Sequence, residues 1–91
     1  MITFDHKPGP RDCYVAEADK RRRDIHGREF TVRETVRVIA ESGGWRVDFT
    51  CNVGGAWLPW EPVTDTVFAT LAEAQDAVRV YAAKPAWEDR R

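Results

Sequence analysis

The sequence predicts an α+β two-layer unit: an antiparallel β-meander of three or four strands, with one C-terminal α-helix packed on its apolar face. Three observations predict it. Valine outnumbers leucine ten to two, and β-branched residues suit a pleated, half-buried surface better than a helix. Two diglycines, Gly43-Gly44 and Gly54-Gly55, punctuate alternating segments at hairpin spacing. A capping box, Thr70 with Glu73, opens a helical periodicity that Pro85 ends.

Taken in order, residues 1–12 read as an irregular N-terminal segment around Pro8-Gly9-Pro10. Cys13–Ala18 reads as a strand, Asp19–Asp24 as a charged connection, and His26-Gly27 as a turn. The run Lys20-Arg21-Arg22-Arg23 is bracketed by Asp19 and Asp24, which fits a solvated turn. From Phe30 the pattern is richer. With Gly43-Gly44 as a two-residue loop, Ala40 faces Val47, Val38 faces Phe49 and Val36 faces Cys51. One face then holds Val36, Val38, Ala40, Val47, Phe49 and Cys51. The other holds Arg37, Ile39, Glu41, Arg46, Asp48 and Thr50, with Glu41 opposite Arg46. Val32–Ser42 also carries helical spacing, with Thr31 and Glu34 as a capping box, but the β-branched content and the pairing with Trp45–Cys51 favour the strand. Glu34 then points inward by parity, which calls for a bulge or a strand starting near Thr35.

Past Gly54-Gly55, parity places Ala56, Leu58 and Trp60 on the core face and Trp57 on the other. Pro59 makes this third strand short or an edge. Leu71, Ala74, Val78 and Tyr81 form one stripe of a helix over Leu71–Ala83. Residues 86–91 read as a short tail unless Trp87 docks it. With 91 residues there is room for one domain, 1–91.

Composition excludes several function classes. No apolar run approaches the ~18 residues of a membrane helix, and Met1–Pro10 lacks a secretory-signal pattern, so a cytoplasmic location is expected. Cys13 and Cys51 stand 38 residues apart without a close ligand pair, so free thiols are expected and no metal or other cofactor is assigned. No nucleophile–base set, carboxylate pair or phosphate loop is present, so no catalytic residue is assigned and the chain reads as a non-enzyme.

Charge patterning suggests binding instead. Residues 51–78 contain no Lys or Arg in a chain with 14 of them, and four carboxylates. Within this stretch Trp57, Glu61 and Asp65 form the candidate contact for a protein partner with a basic surface. Arg33, Arg37 and Arg46, among threonines on the polar sheet face, form the alternative, a DNA-binding surface. The strand–strand–strand–helix order from Thr35 to Tyr81 is similar in topology to the arm-binding domains of tyrosine recombinases and to plant AP2 domains. That resemblance transfers no site residue. A net charge of −1 and a pI near 6.1 disfavour nucleic acid. A homo-oligomer that covers the Pro59 edge or Ile39 is a third class. In size and character the chain resembles accessory or inhibitor proteins of phages and mobile elements.

Overall fold

Alternation of large apolar and polar residues runs through a computed structural model that describes residues 2–89. The strands are β1 (Asp5–Lys7), β2 (Cys13–Arg23), β3 (Glu29–Glu41), β4 (Gly44–Thr50), β5 (Asn52–Val53), β6 (Ala56–Trp57) and β7 (Glu61–Pro62). The helix α1 spans Leu71–Ala83, and a 3₁₀ turn, Ala86–Glu88, follows it. Five strands form an antiparallel sheet in the order β1-β2-β3-β4-β7, while β5 and β6 pair only with each other. The predicted α+β meander with its packing helix is therefore the fold, with five strands rather than three or four. No helix among the described residues is long and apolar enough to cross a membrane.

One face of the sheet meets α1. Ala18 of β2, Val36 and Val38 of β3, and Val47 and Phe49 of β4 are buried against Ala74, Val78 and Tyr81. The helix has the predicted bounds because both ends are specified locally. The Thr70 hydroxyl accepts from the Glu73 backbone N–H at 3.2 Å, and the Lys84 N–H donates to the Val80 carbonyl before Pro85.

Several expectations are corrected. Residues 1–12 are not wholly irregular, since Asp5–Lys7 pairs with Cys13–Val15. β2 does not stop at Ala18; it runs to Arg23 and pairs with β3 as far as Glu29. The turn lies beyond, where the Asp24 carboxylate accepts from the His26 and Arg28 backbone N–H groups at 2.8 and 2.9 Å. Those bonds, the Arg28 one foremost, hold the Asp24 carboxyl below its ordinary pKa.

The β3–β4 register also differs. The turn residues are Ser42 and Gly43, so Val38 faces Val47 and Val36 faces Phe49. This two-residue shift preserves the face of every side chain, because the strand period is two. Glu41 and Arg46 are therefore diagonal neighbours, joined at 2.6 Å. Gly44 serves another purpose. A Cβ there would lie 2.2 Å from the Phe68 carbonyl oxygen, where Trp45 and Phe68 exchange two backbone hydrogen bonds of 2.8 Å.

Ala56, Leu58 and Trp60 are not core residues; all three are exposed. Gly54 (φ +60°) and Gly55 (φ +90°) do form a two-residue reversal, but it closes a separate ribbon. The place beside β4 goes to Glu61-Pro62, opposite Phe49 and Asp48.

Candidate functional site

The outer face of the sheet, away from α1, is crossed near β4 by the segment that follows the ribbon. The Leu58 N–H donates to the Cys51 carbonyl at 3.1 Å, and the Thr50 hydroxyl donates to the Leu58 carbonyl at 2.5 Å. Two residues on, the Trp60 ring lies over the Arg37 guanidinium, 4.2 Å from centroid to Cζ. Arg37 and Arg46 grip Asp48 at 2.9 and 3.1 Å. This cover explains why Asp48 and Thr50 are buried despite their polar-face parity.

The ribbon itself packs differently. Val53, Trp57 and Leu58 are exposed, with Trp57 at 63%. The other tryptophans each have a partner: Trp45 lies edge-on to Tyr14, Trp60 covers Arg37, and Trp87 stacks on Arg23 at 3.8 Å. Among the described residues, no ring contact or ion pair holds Trp57, and the Asn52 carboxamide accepts from Gly55 N–H at 2.9 Å to set the turn.

The three residues singled out for partner binding are not assembled into one cluster. Trp57 sits on the ribbon, Glu61 on β7 opposite Phe49 and so on the helix side, and Asp65 in the loop before α1. All three are exposed. Sequence reasoning missed the exposure of Leu58, because it placed that residue in the core. By register Trp57 lies opposite Asn52 and Val53 opposite Ala56, so Trp57 and Val53 project from opposite faces of the ribbon. The diglycine was the available signal, since two positive φ angles in a two-residue turn leave a free-standing ribbon when the flanking strands are only two residues long.

The arginine alternative is assembled, but neutralised. Arg33 lies 3.5 Å from Glu17 and 3.8 Å from Asp19, Arg37 is bound to Asp48, and Arg46 to Glu41 and Asp48. By register, the outer face holds six basic and six acidic side chains from β1 to β4. Such a face has no net charge with which to attract phosphate.

The basic run lies on strand β2 with every second side chain facing inward, which corrects its reading as a solvated turn. Strand alternation turns Lys20 and Arg22 towards α1, and Arg21 and Arg23 outwards. Glu34 points inward without any bulge, and its carboxylate accepts from the Arg22 guanidinium at 2.5 Å and the Tyr81 hydroxyl at 2.6 Å. Lys20 is fully buried and donates to the Tyr81 and Lys84 carbonyls at 2.6 and 2.9 Å, and to Asp89 at 3.0 Å. It thus caps α1 and fastens the segment as far as Asp89, which is docked, Trp87 included; positions 90 and 91 of the expected tail lie outside the described residues. Trp87 meets Arg23 and Arg21 on the opposite face, so the 3₁₀ turn lies across the edge of β2. Burial pulls the Lys20 ammonium below its ordinary pKa and pushes the Tyr81 phenol well above its own, the latter reinforced by Glu34. Arg22, despite its burial, is held up by Glu34. These groups satisfy one another, with Lys20, Glu34 and Tyr81 buried and Arg22 partly so, and they fasten the layers together.

Cys13 and Cys51 are free and half-buried, and burial raises the Cys13 pKa. His6 stacks on Tyr14 and approaches Asp12 at 3.3 Å. No three His, Cys, Asp or Glu side chains converge on a common point among the described residues. Compared with known protein families, curated proteins and solved structures, the chain gives no match.

Proposed function

We propose that this protein is a small non-catalytic binding module for a protein partner, with Trp57 at the centre of contact. The observation that carries the reading is the ribbon β5–β6, which pairs with itself and presents Trp57 at 63% exposure on one face, with Val53 exposed on the other. An indole side chain, with two rotatable bonds, supplies a large apolar area at small entropic cost, and tryptophan is enriched where truncation most weakens protein–protein binding. Glu61, Asp65 and the absence of Lys and Arg from 51–78 favour a partner with a basic surface. With no Lys or Arg in this stretch to offset them, the carboxylates of β7 and the loop before α1 disfavour nucleic acid in the same measure.

The test is Trp57→Ala in quantitative capture from a cognate lysate, alongside a thermal melt. The expected result is an unchanged melting temperature and at least ~30-fold weaker capture of a protein with a basic surface, equal to ~2 kcal/mol. A substantial loss of stability, or capture indifferent to Trp57, overturns the reading. A gel shift with mixed duplexes at low salt addresses the DNA alternative; salt-sensitive binding lost on Arg33→Ala would replace the proposal.

A further inference from the structure

A second surface, independent of the Trp57 ribbon, lies along the outer side of α1. Helix α1 and the loop before it enclose an open cleft of about 540 Å³, within the range of ligand-binding clefts. Its floor is apolar: Val63 and Phe68 from the loop, Ala77 and Val80 from the helix. Val80 is 49% exposed, although α1 already buries Ala74, Val78 and Tyr81 against the sheet. The helix therefore carries two apolar faces, and only the inner one is covered.

The rim is acidic. Glu73 and Asp76, one turn apart on α1, line the cleft, and neither forms an ion pair among the described residues. At the far end Asp89 also lines it, with Oδ1 held by Lys20 and Oδ2 buried without a hydrogen-bond partner among the described residues. Among the described residues, Lys84 is the one cation of the lining. Both walls, from Val63 to Ala77, fall inside the stretch without Lys or Arg, so that compositional gap becomes a local field at this cleft.

We infer that the cleft receives a short segment of a partner protein in which apolar and basic residues alternate. An apolar side chain seats over Phe68 and Val80, and an adjacent Lys or Arg reaches Glu73 and Asp76. Charge complementarity selects this occupant: an acidic segment would bring like charges together, and a wholly apolar one would leave the rim carboxylates partly desolvated.

The probe is a terminally blocked Leu-Arg-Leu-Arg tetrapeptide, with Leu-Glu-Leu-Glu as control, titrated into the intact ¹⁵N-labelled protein. Saturable shifts at the Phe68, Ala77 and Val80 amides are expected from the basic peptide alone. Glu73→Gln combined with Asp76→Asn should weaken the affinity at least fivefold, and Gln at 73 keeps a side-chain partner for the Thr70 hydroxyl. Trp57→Ala should leave this binding unchanged, which separates the cleft from the ribbon. Shifts scattered over the surface, equal response to the acidic peptide, or indifference to the double substitution overturns the inference.

Discussion

Lys20→Met removes one ammonium and keeps the apolar stem, so it isolates the fastening between β2, α1 and the C-terminal turn. In the native protein the ammonium has three acceptors at 2.6–3.0 Å and lies 3.7 Å from the Tyr81 ring centroid. Without it, the Tyr81 and Lys84 carbonyls lose their side-chain donor, each worth roughly 1–3 kcal/mol if it stays buried. The Asp89 side chain, 13% exposed, is left with neither oxygen partnered. Breaking a buried pair from one side costs ~3–5 kcal/mol. These costs do not add, because the chain can release Asp89 to water by undocking the turn at Ala86–Glu88. A loss of ~3 kcal/mol is therefore expected, a large share of the ~5–15 kcal/mol of a whole domain. For a chain this size that lowers the melting temperature by about 12–24 °C. Urea denaturation followed by far-ultraviolet circular dichroism measures it. Lys20→Met with Asp89→Asn should recover at least ~1 kcal/mol relative to additivity. A single-variant loss below ~1 kcal/mol, or strict additivity in the pair, refutes the fastening.

Two further outcomes follow from the same core. The folded protein keeps the Tyr81 hydroxyl protonated beyond its ordinary pKa of 10.0, because burial and then Glu34 oppose its ionisation, whereas the unfolded chain ionises it there. Above pH 10 the folded state thus binds more protons, and stability should fall with pH at up to ~1.4 kcal/mol per unit. Lys20, whose pKa burial lowers from 10.5, acts in the opposite sense just below that pH, so the Tyr81 contribution is read as the difference from Tyr81→Phe. That variant should lose ~1–3 kcal/mol at pH 7 from the deprived Glu34 acceptor and lack the alkaline decline; an unchanged alkaline slope refutes the assignment. Gly44→Ala should cost ~3 kcal/mol or more in thermal melts, since its Cβ meets the Phe68 carbonyl at 2.2 Å. Gly43→Ala, with φ +83° but open space around it, should cost only ~1–2 kcal/mol, and the reverse order would mean that the Trp45–Phe68 bridge is misplaced.

Legibility in the sequence followed the range of the forces involved. Helix α1 was readable to the residue, because Thr70, Glu73 and Pro85 act within one turn of the ends they set. The sorting of Val36, Val38, Val47 and Phe49 was readable too, even though the assumed register was two residues off, since parity survives an even shift. The Gly44 role was hidden because it depends on the Phe68 backbone, 24 positions away. In the candidate site, Trp57 was correctly placed outside the core, whereas Leu58 and Trp60 were not; their exposure follows from β7 beginning at Glu61 and displacing them from the sheet.

What local chemistry specified by itself was the class of fold: which segments extend, where the helix starts and stops, and which side of each strand is apolar. Period-two and period-3.6 patterns are written in neighbouring residues and need no distant partner. Tertiary structure alone decided the fate of the charged groups. Lys20 and Arg22 look like solvated residues in any short window, and the inward parity of Glu34 calls for a bulge. Yet Lys20 and Glu34 are buried and Arg22 partly so, because Tyr81 and Asp89, from far along the chain, arrive to satisfy them. A buried charge is tolerable only where its partners are already in place, and that condition belongs to three dimensions.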